Sequence, residues 1–213
     1  MQLLLDSAII DEAIQASEWG WVNGATTNPS LLAKSNISPE KTLLRISKCF
    51  EGPIFYQLIS KTIKSMVSEA ELASDILGEK LVLKIPATEL GFSATSHLSK
   101  KYTCAVTSIF TPSQAMVAHA AGACYALYYH NRAKKLLKNG GRLAGDLVQV
   151  LKNTSTTVVA ASLKSPEEVL EARLAGVPIL STNFNVLSKM VQHDLSDSAV
   201  QDFYQTGIGL ITK

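Results

Sequence analysis

Leu81-Val82-Leu83-Lys84-Ile85-Pro86 is an apolar run broken by one charged residue, and its alternation decides how the rest of the chain is read. A period of two sets Val82 and Lys84 on one face of a strand and Leu81, Leu83 and Ile85 on the other. Both faces are apolar apart from a single ammonium. Such strands belong to parallel sheets covered on both sides.

Outward from this run, short apolar stretches alternate with longer amphipathic ones to both ends of the 213 residues, with no linker or composition break. This is a βα pattern. It predicts eight strands, near 3–5, 22–26, 54–58, 81–85, 103–107, 124–128, 157–160 and 178–181. Helices are predicted over 39–50, 62–77 and 166–175, with start signals at Ser38-Pro39 and Ser165-Pro166. In the second of these, Ile63, Met66, Val67, Ala70, Ala73, Ile76 and Leu77 share one stripe, which is core material. The segment 183–213 offers no ninth strand and reads as two helices with a glycine-containing tail; an exposed apolar helix is expected over 203–211. The expected fold is a single (β/α)8 barrel over 1–213 with a helical extension from about 183. A doubly wound open sheet is the alternative, but its GxGxxG dinucleotide fingerprint is absent.

Composition narrows the function classes. With 46% apolar residues and 20 Lys and Arg against 18 Asp and Glu, the chain has a core to bury and no nucleic-acid surface. Lys134, Lys135 and Lys138 read as a solvated helix face. The three cysteines show neither zinc spacing nor a disulfide framework and read as buried thiols in a reducing compartment. The four histidines show no metal spacing and read as helix-face or surface residues. The start, MQLLLDSAII, meets Asp6 after three leucines and reads as neither signal peptide nor anchor, and no later run is long enough to span a membrane. A cytoplasmic protein with a small-molecule partner is expected.

In a parallel barrel, chemistry gathers where strands end. The closing residues are Asp6; Thr26, Thr27 and Asn28; Gln57; Lys84; Thr107; Tyr129 with Asn131 and Arg132; Ser162; and Ser181. Burying the Lys84 ammonium is costly unless it is paired or deprotonated, and a desolvated amine is a nucleophile for a carbonyl. A salt-bridged or snorkelling lysine is the competing reading. Asp6 could cap a helix or move the proton of a substrate hydroxyl. The run GATTNPSLL, 24–32, could be an ordinary turn or a binding loop. Arg132, Ser162 and Lys164, at the ends of units six and seven, suit a phosphate, or are simply solvated.

These residues resemble a known family. GATTNPSLL is similar to the first signature of the transaldolases, LVLKIPAT to the strand carrying their Schiff-base lysine, and AASLKSP to their phosphate-binding turn, in the right order and on the right strands. The short length resembles the subgroup of fructose-6-phosphate aldolases and compact transaldolases, TIM barrels that assemble as decamers with the C-terminal helix reaching a neighbour. The resemblance implies that Lys84 forms the imine and Asp6 handles the C4 hydroxyl proton. Thr26 and Asn28 would hold the dihydroxyacetone hydroxyls. Gln57, Thr107 and Tyr129 would position the water or proton donor, and Arg132, Ser162 and Lys164 would take the sugar phosphate. It implies no metal and no cofactor.

Transaldolases usually carry glutamate where this chain has Gln57, and often phenylalanine where it has Tyr129; the aldolase subgroup resembles the chain at both. A neutral amide cannot act as acid and base, whereas a phenol can supply a proton, so both residues lean toward aldolase. Leu90 and Phe92, around Gly91, depart from the small or polar and aliphatic residues common there. The leading expectation is an enzyme acting on fructose 6-phosphate, releasing glyceraldehyde 3-phosphate and using water or erythrose 4-phosphate as acceptor, in pentose-phosphate-type carbohydrate metabolism. The other classes are a non-catalytic sugar-phosphate-binding barrel and a metal-dependent aldolase, for which the histidine spacing is missing.

Overall fold

The structure, a computed structural model, describes residues 1–211. Eight parallel strands, β1 (Gln2–Asp6), β2 (Gly24–Thr26), β3 (Ile54–Gln57), β4 (Leu81–Pro86), β5 (Cys104–Ile109), β6 (Tyr125–Tyr129), β7 (Thr157–Leu163) and β8 (Ile179–Thr182), close into a ring in chain order, β8 pairing with β1. All eight predicted strands are present, and the open sheet is excluded. β2 starts two residues later than expected.

The helices are α1 (Ile10–Glu18), α2 (Pro29–Leu32), α3 (Pro39–Cys49), α4 (Ile63–Leu77), α5 (Glu89–Leu98), α6 (Pro112–Ala120), α7 (His130–Leu136), α8 (Leu143–Val150), α9 (Pro166–Leu174), α10 (Phe184–Lys189) and α11 (Asp194–Thr206). Ser38, Thr62, Thr88, Thr111 and Ser165 each accept a backbone N–H at a helix start. Proline follows the cap in α3, α6 and α9, where its missing donor costs nothing.

Two cores follow from strand alternation. Inside the ring, Leu4, Phe55, Val82, Ala105, Leu127, Val159, Ala161 and Ile179 form one apolar plug. Between ring and helices, the opposite strand faces, such as Leu3, Leu5, Leu83 and Ile85, meet the helix stripes, including Met66, Ala70, Ala73 and Leu77 of α4. Strand pairing slips between Val106 and Ile109 on β5 and between Ala160 and Leu163 on β7. The slips coincide with positive φ at Ser108 (62°) and Ser162 (60°). At the ring seam, Trp19 stacks on Trp21 (5.0 Å, 9°) and on Phe184 of α10 (4.9 Å, 23°).

Four expectations need correction. Cys104 alone of the three cysteines is buried; Cys49 is partly covered and Cys124 exposed. Burial first, and Cys124 second, push the Cys104 thiol up to about 12. His130 is neither a surface nor an idle helix-face residue: it is buried, with Nδ1 at 3.0 Å from the Tyr128 hydroxyl and Nε2 at 3.2 Å from Glu171. Asn131 and Arg132 lie on α7, not on a strand end. The last helix stops at Thr206, and residues 207–211 carry no helix, Gly207 closing it by donating its N–H to Phe203. Residues 212–213 of the expected extension lie outside the described residues.

Candidate active site

Two residues beyond the apolar plug, the same inward faces turn polar. Leu4 is followed by Asp6, Phe55 by Gln57, Val82 by Lys84, Ala105 by Thr107, Leu127 by Tyr129 and Ile179 by Ser181, so one layer of chemistry-bearing side chains sits on one layer of apolar ones. The strand ladders fix their neighbours: Gln57 is opposite Lys84, and Asp6 opposite Thr26.

Lys84 is 2% exposed. Its ammonium donates to the carbonyl of Thr27 at 2.8 Å. That carbonyl is held in turn by β3, because the N–H and the hydroxyl of Thr27 both donate to the Phe55 carbonyl at 2.9 Å. Burial holds the Lys84 amine below the ordinary lysine range, with the charges of Asp6 and Tyr129 pulling the other way. No carboxylate lies within salt-bridge distance of it among the described residues. A snorkelling lysine would keep its head in water, and this one does not.

Asp6 does not cap a helix. The N-cap of α1 is Ile9, without a side-chain bond, and Asp6 instead accepts from the Thr26 hydroxyl at 2.8 Å. Thr26 has one proton to give, so the 2.6 Å contact with Ser181 is donated by Ser181. The relay Ser181 to Thr26 to Asp6 spans the β8–β1–β2 seam and aims the carboxylate. Ser181 is expected to close its strand; β8 runs one residue further, to Thr182, and only the structure shows the bond of Ser181. Asn28 caps α2, its Oδ1 accepting the Leu31 N–H at 3.0 Å. That bond fixes the amide and leaves the Nδ2 donors free of the cap.

Tyr129 is half-buried, its hydroxyl 3.2 Å from both Thr107 and Ser108 and its ring edge-on to Phe110. The Arg132 guanidinium lies over the same ring at 4.9 Å. Ser162 and Lys164 stand on the next unit, with no hydrogen bond joining them to Arg132 among the described residues. Glu168 links the two units by accepting the Lys164 N–H at 2.8 Å and the Asn131 amide at 2.6 Å. Sequence reasoning placed Thr27 at its strand end without its bond to Lys84, and missed Ser108 and Glu168 as site residues; Ser108 left no signal, since alternation points it outward. Among the described residues no three His, Cys, Asp or Glu side chains gather as a metal site would require, and no helix is long and apolar enough to cross a membrane.

Eight closed parallel strands with polar side chains collected at their carboxyl ends define a TIM barrel with a candidate active site. Solved structures of mandelate oxidase share that fold: one has a TM-score of 0.62 at 15% identity, covering 93% of this chain and 71% of that one. At such identity the likeness concerns the fold alone.

Sequence similarity is narrower. The family described as "Transaldolase/Fructose-6-phosphate aldolase" matches residues 3–209. A "Probable transaldolase" of Caldicellulosiruptor saccharolyticus is 37% identical, with 95% of each chain covered. Another, of Kosmotoga olearia, is 36% identical over 99% of this chain and 100% of its own. The chain belongs to the transaldolase/fructose-6-phosphate aldolase family and is an enzyme of that family.

Proposed function

We propose that the enzyme acts on fructose 6-phosphate through an imine at Lys84. The observation that carries this reading is a lysine 2% exposed whose ammonium is disfavoured by burial. The neutral amine adds to the ketose carbonyl, and loss of water gives the iminium. Asp6 takes the C4 hydroxyl proton as the C3–C4 bond breaks, and the bonding pair passes into the iminium to give an enamine. Glyceraldehyde 3-phosphate leaves. Gln57, Thr107 and Tyr129 serve the water and proton steps, Thr26 and Asn28 hold the dihydroxyacetone hydroxyls, and Arg132, Ser162 and Lys164 take the phosphate. The chemistry needs neither metal nor cofactor, and the place proposed for it is the cytoplasm.

The enamine has two fates. Addition to erythrose 4-phosphate makes the enzyme a transaldolase; protonation and hydrolysis to free dihydroxyacetone make it an aldolase. The names of the relatives favour the first, Gln57 and Tyr129 the second, and we favour the aldolase. Glyceraldehyde 3-phosphate release with and without erythrose 4-phosphate separates them: equal multiple turnover without acceptor is expected.

Borohydride reduction in the presence of fructose 6-phosphate, followed by peptide mass spectrometry, is expected to place a three-carbon adduct on Lys84. An unmodified Lys84, or full activity in Lys84→Ala, would sink the proposal; an unmodified Lys84 with no turnover would leave a sugar-phosphate-binding barrel. The working form proposed is a homo-oligomer, a decamer by the resemblance. Supporting this, α11 buries no residue in its own chain while Val200, Phe203 and Tyr204, exposed, share one of its faces.

A further inference from the structure

Regular alternation would turn Ser108 toward the helix layer, behind the site. The slip in β5 pairing between Val106 and Ile109 prevents that. Ser108 takes a φ of 62°, a left-handed conformation uncommon for a residue with a Cβ. Two consecutive residues thereby reach one atom: the hydroxyls of Thr107 and Ser108 both lie 3.2 Å from the Tyr129 phenol oxygen, with Ser108 as donor. A phenol that accepts from Ser108 keeps its own proton for Thr107 or for a reacting atom.

We propose that Ser108 is a positioning residue for Tyr129, its hydroxyl donating to the phenol oxygen and holding it ready to release a proton at the mouth of the barrel. This rests on the proposed function, in which Tyr129 supplies a proton. A bond to an oxygen that gains negative charge strengthens as the proton leaves, so it acts more on the transition state than on the ground state. The titratable groups beside Tyr129 are Lys84 from β4 and Arg132 from α7, both unaltered by a change at Ser108.

The test uses Ser108→Ala, Ser108→Gly, Tyr129→Phe and the double variant Ser108→Gly with Tyr129→Phe. Removing one hydrogen bond to a developing charge is expected to lower kcat about tenfold with KM within about twofold. Ser108→Gly should be at least as heat-stable as the wild-type chain, because glycine adopts positive φ freely, so its loss of activity would not be a loss of fold. With Tyr129→Phe already in place, Ser108→Gly should have no further effect on kcat. The ultraviolet absorption of Tyr129, read as the difference spectrum between a chain and its Tyr129→Phe counterpart, should change in Ser108→Gly, because the phenol oxygen loses a donor. An unchanged Tyr129 absorption, or a tenfold loss that persists with Tyr129→Phe, overturns the proposal. The difference spectrum needs no turnover. A missing Lys84 adduct would therefore overturn the imine reading while the bond from Ser108 to Tyr129 is still decided by the spectrum.

Discussion

The cost of burying Lys84 is a stability statement as well as a mechanistic one. Its folded-state pKa lies below the ordinary 10.5, so between the two values the unfolded chain binds more protons and stability rises with pH. Below that window the folded protein carries the full cost of a buried ammonium; above it the cost is gone. Lys84→Met, of similar length and without charge, is expected to raise stability by about 1–3 kcal/mol at neutral pH and to abolish adduct formation. The half-exposed Asp6 keeps its Thr26 donor and is not left as a buried unpaired charge. Urea midpoints from pH 6 to 11 should show the gain shrinking toward pH 10.5, and a gain independent of pH would refute the assignment of the cost to Lys84. Lys84 was legible in the sequence because one charge interrupts a two-sided apolar strand. Asp6 was not, since a carboxylate after a strand caps a helix as readily as it faces a barrel.

Among the elements, the β4 to α5 connection bears most directly on the site. A Cβ at Gly91 would stand 1.9 Å from the carbonyl oxygen of Pro86, which closes the strand carrying Lys84. The nearest obstacle is backbone, with the Thr88 hydroxyl 3.2 Å away behind it. Gly91→Ala is expected to cost about 1–3 kcal/mol, an overpacking penalty, and to displace the end of β4. In a chain of this size the melting midpoint should fall by about 2–4 °C for each kcal/mol, and borohydride trapping at Lys84 should drop even where the protein remains folded. A wild-type melting curve would contradict the close approach. The strands themselves were readable from alternation, whereas the β5 and β7 slips were not, because Ser108 and Ser162 are ordinary residues whose positive φ no local pattern announces. The start of α7 was hidden for a related reason: Tyr129 has no side-chain cap bond, so no capping signal separates strand from helix.

On the scale of the molecule, the closed ring needs nothing from α11. Truncation after Val191 is expected to leave the thermal midpoint of the barrel within about 2 °C, since no described residue of that helix is buried. The same truncation should lower the number of protomers per particle seen by light scattering, and an unchanged number would remove α11 from the proposed assembly. Ring closure has one further consequence. The chain has only two tryptophans, and both stack at the seam where the last strand returns to the first, with Phe184 completing the pile. The tryptophan glow of this protein thus comes from one place, and a red shift in it is a report that water has entered the join between its beginning and its end.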